Sequence, residues 1–488
     1  AAASAAAQAA AQRQNPDNPA CATYQGVDCQ HIQIAYHWAS NYNECPGDQN
    51  IVPFLKALGV NPNPALSMQI LVPYFNAHAR DIWPQYASKL GASGFYGRSL
   101  VAHAYDNDGG PFCDGVNRSV AQQMADDRNF AAIGACVTCS SEGSSDVIQQ
   151  VLAQLHMISI DNTWNTDSYY ANAQTAPYAW SSLIGGDTAV AHMADMICHE
   201  MVGRPSSQTG DPSTAGRPRV FSVVNIDEPE EHALGDTMVD DIRACGGTIA
   251  GGTAGHLEYE KDIATAGEQA ANIEAQQKQN NVTTVVCICD AIAALEGASE
   301  ASGTSWGPEY VVSDFGYLDG VATVDAFPTA WRNAFAVAET NAYDQSLGTW
   351  CDTAAGRAWC SSPQGGSSAT PPTDFILWYE ALKVFGTMLV MAGPDLTPQT
   401  IYNGLSAHCA PCPSFGDSRA YDPLAGVGPS YARGQFAPWR DFQMVHWDPN
   451  HDSPWATQYK GGSPHGRWAP LDPSFGWARQ VSWGIRSQ

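Results

Sequence analysis

The feature that most constrains this chain is an alternation of short apolar runs and helical stretches that reaches about residue 160 and restarts near residue 185. His31–Tyr36 alternates apolar and polar side chains, as a strand does. Ala65–Arg80 has helical spacing, Ser99–Tyr105 is extended, Val116–Asp127 is helical, Phe130–Ala135 is a short strand, Ser145–Leu155 is helical and Met157–Ile160 is extended. The second series runs through helical Thr188–Met201, extended Arg219–Val224, helical His232–Ala244 and Ala264–Gln279, then extended Thr283–Ile288 and Tyr310–Val312. Repeated strand–helix–strand units build parallel sheets with helices on both faces. The restart predicts two such sheets, and 488 residues are too many for one compact core. The expected fold class is therefore α/β with two lobes.

In sheets of this kind ligands bind beyond the carboxyl ends of the strands. Polar groups cluster at those ends here: Trp38 to Tyr42, Ser140 and Ser141, Asp161 with Asn162 and Thr163, Asp227 with Glu228, Asp290, and Asp314. Two sheets whose strand ends face each other would enclose one cleft between them.

The formal net charge of -26 argues against nucleic acid and anionic lipid as partners, because phosphate binding needs a basic face. No run of about 20 apolar residues predicts a transmembrane helix. Fourteen cysteines, an even number, point to disulfides and an oxidising, extracytoplasmic compartment. Cys21/Cys29, Cys351/Cys360 and Cys409/Cys412 are candidate pairs in loop-like contexts. Zinc needs four converging ligands. The Cys-x-x-Cys pairs Cys136/Cys139 and Cys409/Cys412 lie far apart without supporting His spacing, so no metal and no cofactor are assigned. The leader AAASAAAQAAAQ resembles a mature N-terminus left by signal cleavage, and residues 1–30 form a leader with a Cys loop. No Gly-x-Ser-x-Gly elbow, Walker loop, His-Glu-x-x-His or complete dinucleotide fingerprint is present, so no enzyme is expected.

Four stretches resemble the type I periplasmic binding proteins, whose best-known members are the leucine/isoleucine/valine-binding proteins of ABC transporters. They are Phe130-Ala-Ala-Ile-Gly through Ser140-Ser141 to His156-Met-Ile-Ser-Ile; Arg219-Val-Phe-Ser-Val-Val-Asn-Ile-Asp with Gly246-Gly247-Thr; Asp374 to Ala392 with Tyr379-Glu-Ala-Leu; and Ala392-Gly-Pro-Asp-Leu-Thr-Pro-Gln-Thr-Ile-Tyr-Asn-Gly-Leu. The resemblance implies two Rossmann-like lobes with parallel sheets, joined by a three-crossover hinge. It places lobe one at 31–183 plus 318–405 and lobe two at 184–317 plus 406–450.

It further implies a small-molecule ligand, amino-acid-like, and an ABC permease in the membrane as partner. Ser140 and Ser141 match the family's carboxylate cradle, a helix N-terminus that suits an anion. Asp161, Asn162 and Thr163 match the next loop, and Asp314 stands where the family binds an ammonium group. Asp290 falls near a position often aromatic in the family, Asp227 ends another strand of lobe two, and Trp38 and Tyr42 are candidates for an aromatic wall. The family disulfide implies Cys113–Cys139, with Cys136 as the fallback partner.

Residues 43–64 read as an insertion, 345–372 as a Gly/Ser-rich loop, and 451–488 as a tail carrying Trp455, Trp468, Trp477 and Trp483. That tail either covers the body's own apolar surface or mediates self-association. The second option opens a structural alternative, the same fold recruited as a subunit of an extracellular filament or surface assembly.

Overall fold

The computed structural model describes residues 23–38, 64–107, 114–134, 144–161, 165–172, 174–260, 265–304, 306–313, 318, 332–338, 351, 354–365, 371–372, 375–407, 442–450 and 467–471. The first half builds β1 (His31–Trp38), α1 (Ala65–Ile82), β2 (Ser99–Asp106), α2 (Asp114–Asp126), β3 (Ala131–Gly134), α3 (Ser144–Gln154), β4 (Ile158–Asp161), α4 (Asp167–Ala171) and β5 (Ala179–Ser181). Its five strands pair in the order β2-β1-β3-β4-β5, all parallel.

The chain continues through α5 (Gly186–Met196), β6 (Phe221–Ile226), α6 (Pro229–Ala244), β7 (His256–Tyr259), α7 (Ala266–Gln279), β8 (Thr284–Ile288), α8 (Ala291–Gly303), β9 (Glu309–Ser313) and β10 (Ala334–Ala338). It then forms α9 (Ala354–Cys360), α10 (Phe375–Ala392), α11 (Pro398–Ala407), β11 (Gln443–Asp448) and β12 (Arg467–Pro470). The second sheet has seven strands in the order β12-β11-β10-β9-β8-β6-β7. Strands β6 to β10 are parallel, and β11 and β12 add antiparallel at one edge. Strands β6, β8, β9 and β10 are buried along their whole length. That is why they are rich in Val, Ile, Ala and Phe, with buried polar residues such as Ser222, Asn225 and Glu309 among them: helices cover both faces of a parallel sheet.

Four cores follow from this layering. One face of the first sheet packs on α1, α9 and α10 through residues such as Ile34, Phe75, Trp359, Trp378 and Phe385. The other packs on α2 and α3 through Ala35, Val120, Ala132, Ile148 and Leu152. The second sheet packs on α5 and α6 through Val190, Met193, Leu234, Met238, Val286 and Val337. Its opposite face, which includes Trp447 on β11 and Trp468 on β12, packs on α8 through Ala294, Ala298 and Ala301. Helix α10 is apolar nearly all round because it is sunk in the first core, and no described helix is long and apolar enough to cross a membrane.

Residues 354–405 thus return to the first core after β10 has joined the second sheet. Among the described residues the chain passes between the lobes three times: near 182–184, between 338 and 354, and between 405 and 442. The fold is the expected one of two parallel-sheet lobes joined by three crossovers. Two elements sit differently from the expected ranges. Strand β10 lies within 318–405 yet pairs with β9, so it belongs to the second sheet. Strand β12 lies in the expected tail and pairs with β11, where Trp468 is fully buried edge-on against Trp447, with ring centroids 5.4 Å apart. That indole covers the body of its own chain; Trp455, Trp477 and Trp483 lie outside the described residues.

The expected Cys351–Cys360 disulfide is present. Cys29 is disulfide-bonded, while Cys21, Cys113, Cys136, Cys139, Cys409 and Cys412 lie outside the described residues. Two further bonds were not foreseen: Cys198–Cys245, which ties the turn after α5 to the end of α6, and Cys287–Cys289 at the end of β8.

Candidate functional site

The carboxyl ends of the first sheet form one transverse row. His37 pairs in register with Tyr105 on β2 and with Gly134 on β3. Ile133 pairs with Ile160, which puts Gly134 beside Asp161, and Asp161 pairs with Ser181. Residues in register on parallel strands project from the same face, here the α2/α3 face that carries Ala35 and Ala132. Gly134 contributes no side chain at the centre of the row, so the groups on either side reach across it. His37 Nε2 lies 3.5 Å from Asp161 Oδ2, with each side chain only 2% exposed. A Cβ on Gly134 would sit 2.5 Å from the Asp161 carboxylate. The Asp161 backbone carbonyl accepts from Ser182 N at 2.9 Å, and His37 Nδ1 is buried with no hydrogen-bond partner among the described residues.

The row continues outward into a polar network. Tyr105 donates its hydroxyl to Asp127 at 2.9 Å and accepts from Asn129 Nδ2 at 2.8 Å. Burial pushes this phenol up to about 12. Trp38 faces the opposite side: it stacks on Tyr36 with centroids 5.7 Å apart and packs against the first core.

In the second lobe Asp290 follows β8 and is nearly buried. One carboxylate oxygen accepts from Ala293 N at 3.0 Å, capping α8, and the other accepts from the Tyr259 hydroxyl at 2.8 Å. The same hydroxyl accepts from Asp290 N at 2.9 Å. Burial, reinforced by the Asp290 charge, raises the Tyr259 phenol well above its ordinary range. Asp227 is exposed at the end of β6, its amide donating to Tyr259 O at 2.8 Å. Of the expected site residues, Asp161 thus joins a buried polar row, Asp290 serves a cap and a tyrosine, Asp227 faces solvent and Trp38 leans on the core. Ser140, Ser141, Asn162, Thr163, Asp314 and Tyr42 lie outside the described residues.

Sequence reasoning did not single out the groups at the first crossover. There Gly186 N donates to Asn165 O at 3.1 Å and Asp167 N donates to Asp187 Oδ2 at 2.8 Å, joining the loop after β4 to the start of α5. Burial, with the neighbouring Asp187 charge, raises the Asp167 carboxyl to about 7. The available signal was an Asp in the first turn of each of two helices, a common dipole-complementing position that by itself names no partner.

No family model and no curated protein matches this sequence. Solved structures do match its fold. A fatty acid ABC transporter substrate-binding protein from Thermomonospora curvata is similar at 11% identity and a TM-score of 0.55, covering 95% of this chain and 97% of its own. A leucine binding protein from Thermotoga maritima is similar at 9% identity and a TM-score of 0.53, covering 85% of this chain and 95% of its own. A solute binding protein of an ABC transporter from Rhodopseudomonas palustris, solved with 3,4-dihydroxy benzoic acid, is similar at 8% identity and a TM-score of 0.53, covering 91% and 99%. With two parallel-sheet lobes, three crossovers and these likenesses spanning nearly the whole of each neighbour, the chain has the fold of the type I periplasmic binding proteins.

Proposed function

We propose that this protein is an extracytoplasmic, non-enzymatic solute-binding protein that closes on a small polar ligand, an amino acid or a derivative of one, for ABC-type uptake. The observation that carries the reading is the pair of parallel-sheet lobes connected three times, with polar side chains such as His37 and Asp161 gathered at strand carboxyl ends. The disulfides Cys198–Cys245 and Cys351–Cys360 support an oxidising compartment. The named neighbours are described by leucine, a fatty acid and a dihydroxybenzoic acid, all carboxylic acids, which favours a ligand carboxylate.

In this reading the mechanism is physical. A ligand held by one lobe gains added contacts from the other, and the closed form gains population. A membrane permease then recognises the closed shape. Ser140 and Ser141 cradle the carboxylate, Asn162 and Thr163 extend that contact beside Asp161, and Asp314 takes the ammonium group.

The test is a thermal-shift screen of ligand-stripped protein against amino acids, amides, polyamines and short-chain acids, followed by calorimetry on any hit. A ligand at 100 times its dissociation constant stabilises by about 2.7 kcal/mol. A shift confined to amino acids, weakened in Ser140→Ala and Asp314→Ala, supports the reading. Folded, ligand-free protein that shifts with no compound overturns it.

A further inference from the structure

A second polar cluster lies away from the strand ends just described, between the first two turns of α6 and the edge strand β7. His232 and Asp236 stand four residues apart on α6, so they share one helix face. His256 and Glu258 stand two apart on β7, so they share one strand face. Asn225, fully buried on the neighbouring strand, pairs in register with Glu258 and faces the same way. Gly235 opens the space between helix and strand: a Cβ there would fall 2.3 Å from both Asn225 Oδ1 and His256 Nε2.

Each imidazole uses one nitrogen on an inner partner and turns the other towards Asp236. His256 Nε2 meets Asn225 Oδ1 at 2.6 Å, and its Nδ1 lies 3.2 Å from Asp236 Oδ1. His232 Nδ1 is hydrogen-bonded to Glu258 Oε1, and its Nε2 lies 3.6 Å from Asp236 Oδ2. Asn225 Nδ2 also donates to the Glu258 carboxylate at 3.3 Å, so the inner partners are themselves held.

From this arrangement we infer that the cluster is a binding site for a divalent transition-metal ion of the zinc class. His232 Nε2, His256 Nδ1 and the Asp236 carboxylate are the ligands, and solvent takes the open position. The second-layer pattern fits closely: a metal-bound histidine donates its other ring N–H to a carboxylate or an amide-type carbonyl. Glu258 and Asn225 are those acceptors, and they fix which nitrogen of each ring faces outward. Ligand atoms about 2.0 to 2.2 Å from a tetrahedral metal lie about 3.3 to 3.6 Å from one another. The separations of the rings from Asp236, 3.2 Å to Oδ1 and 3.6 Å to Oδ2, lie close to that spacing, one to each carboxylate oxygen. An imidazole–carboxylate set suits zinc and its neighbours rather than calcium or magnesium.

As they stand, the side chains pair with one another instead of enclosing a single metal position among the described residues. Asp236 is 62% exposed, so its carboxylate can turn between the two rings, while Glu258 and the buried Asn225 hold His232 and His256 in place. Bound metal would pin the edge strand β7 to α6.

The experiment is isothermal titration of chelator-stripped full-length protein with Zn²⁺, repeated on variants whose metal-free melting curves confirm folding. One equivalent is expected to bind. His232→Ala, His256→Ala and Asp236→Asn each weaken it by at least about 10-fold, and Glu258→Gln, an outer partner, by about 10- to 100-fold. His78→Ala, which removes a surface histidine 3.1 Å from Asp81, leaves it unchanged. Absence of Zn²⁺ binding, or binding that survives both His232→Ala and His256→Ala, overturns the assignment. So does a loss of equal size in His78→Ala, which marks adventitious surface binding. Because His232 and Asp236 are largely exposed, their variants keep the test decisive if His256→Ala fails to fold.

Discussion

Filling the empty centre of the lobe-one row is a direct probe of the His37–Asp161 pair. Gly134→Ala places a methyl 2.5 to 2.6 Å from three atoms of the Asp161 carboxyl group. Gly134 is not among the glycines with a left-handed backbone, so the cost is steric rather than conformational. Overpacking of this kind costs about 1 to 3 kcal/mol. Asp161→Ala removes the partner of a buried histidine and costs about 3 kcal/mol, between the penalty for an unsatisfied polar group and that for an unpaired buried charge. The methyl added at position 134 needs the space that the Asp161 carboxylate vacates. The double variant therefore loses less than the sum of the single variants, by at least about 1 kcal/mol. Equilibrium unfolding in urea, followed by tryptophan fluorescence and far-ultraviolet circular dichroism, supplies the three differences. Additivity within about 0.5 kcal/mol would refute the claim that these groups share one space.

Three other outcomes are expected. Glu309 is fully buried and accepts from Arg219 Nε at 2.7 Å, Ser207 N at 2.6 Å, Gln208 N at 2.9 Å and Thr284 Oγ1 at 2.9 Å. Glu309→Ala should thus cost at least about 3 to 5 kcal/mol by leaving the guanidinium unpaired, and a loss below about 1 kcal/mol in urea titrations would contradict it. The Asp167 carboxyl, raised from 3.8 to about 7, binds its proton more tightly folded than unfolded. Its stabilising contribution is complete below pH 3.8 and lost as pH rises through about 7. Relative to wild type, Asp167→Asn should gain stability from about pH 4 to about pH 7 and then level off, and a pH-independent difference would count against the raised value. Replacing Cys198 and Cys245 by Ser opens a loop with a sequence separation of 47, worth about 4 kcal/mol in the chain-entropy description, to be read from the denaturation midpoint.

Much of the architecture was legible because buried parallel strands leave a strong mark. Val220–Ile226 and Val282–Ile288 are nearly continuous apolar runs flanked by helical spacing. The short edge elements left no such mark: β7 reads His-Leu-Glu-Tyr, half of it polar, and β5 has three residues. Missing β7 also hid the meaning of Asp290, because its hydroxyl partner Tyr259 closes that strand. The position of Asp161 at a strand end was readable, but its pairing with His37 was not. That contact depends on a glycine in register on the strand between them, and register is a property of the assembled sheet. Disulfides divide in the same way: Cys351–Cys360 closes a short loop visible in the sequence, whereas Cys198–Cys245 depends on how α5 and α6 pack.

The three passages of the chain between the lobes also govern how the molecule comes into being. The first lobe waits for α10 and α11, and the second waits for β11 and β12, so neither is a continuous piece of polypeptide. At about 5 to 20 residues per second, a ribosome needs from tens of seconds to more than a minute to deliver residue 470. Until those late elements emerge, the first sheet leaves an apolar face uncovered and the second leaves the β10 edge unpaired. A nascent chain in this condition is a natural client for holding factors. Splitting the gene at a lobe boundary should yield insoluble fragments, while co-expressed fragments cut in a loop of one lobe have all the partners they need to reassemble.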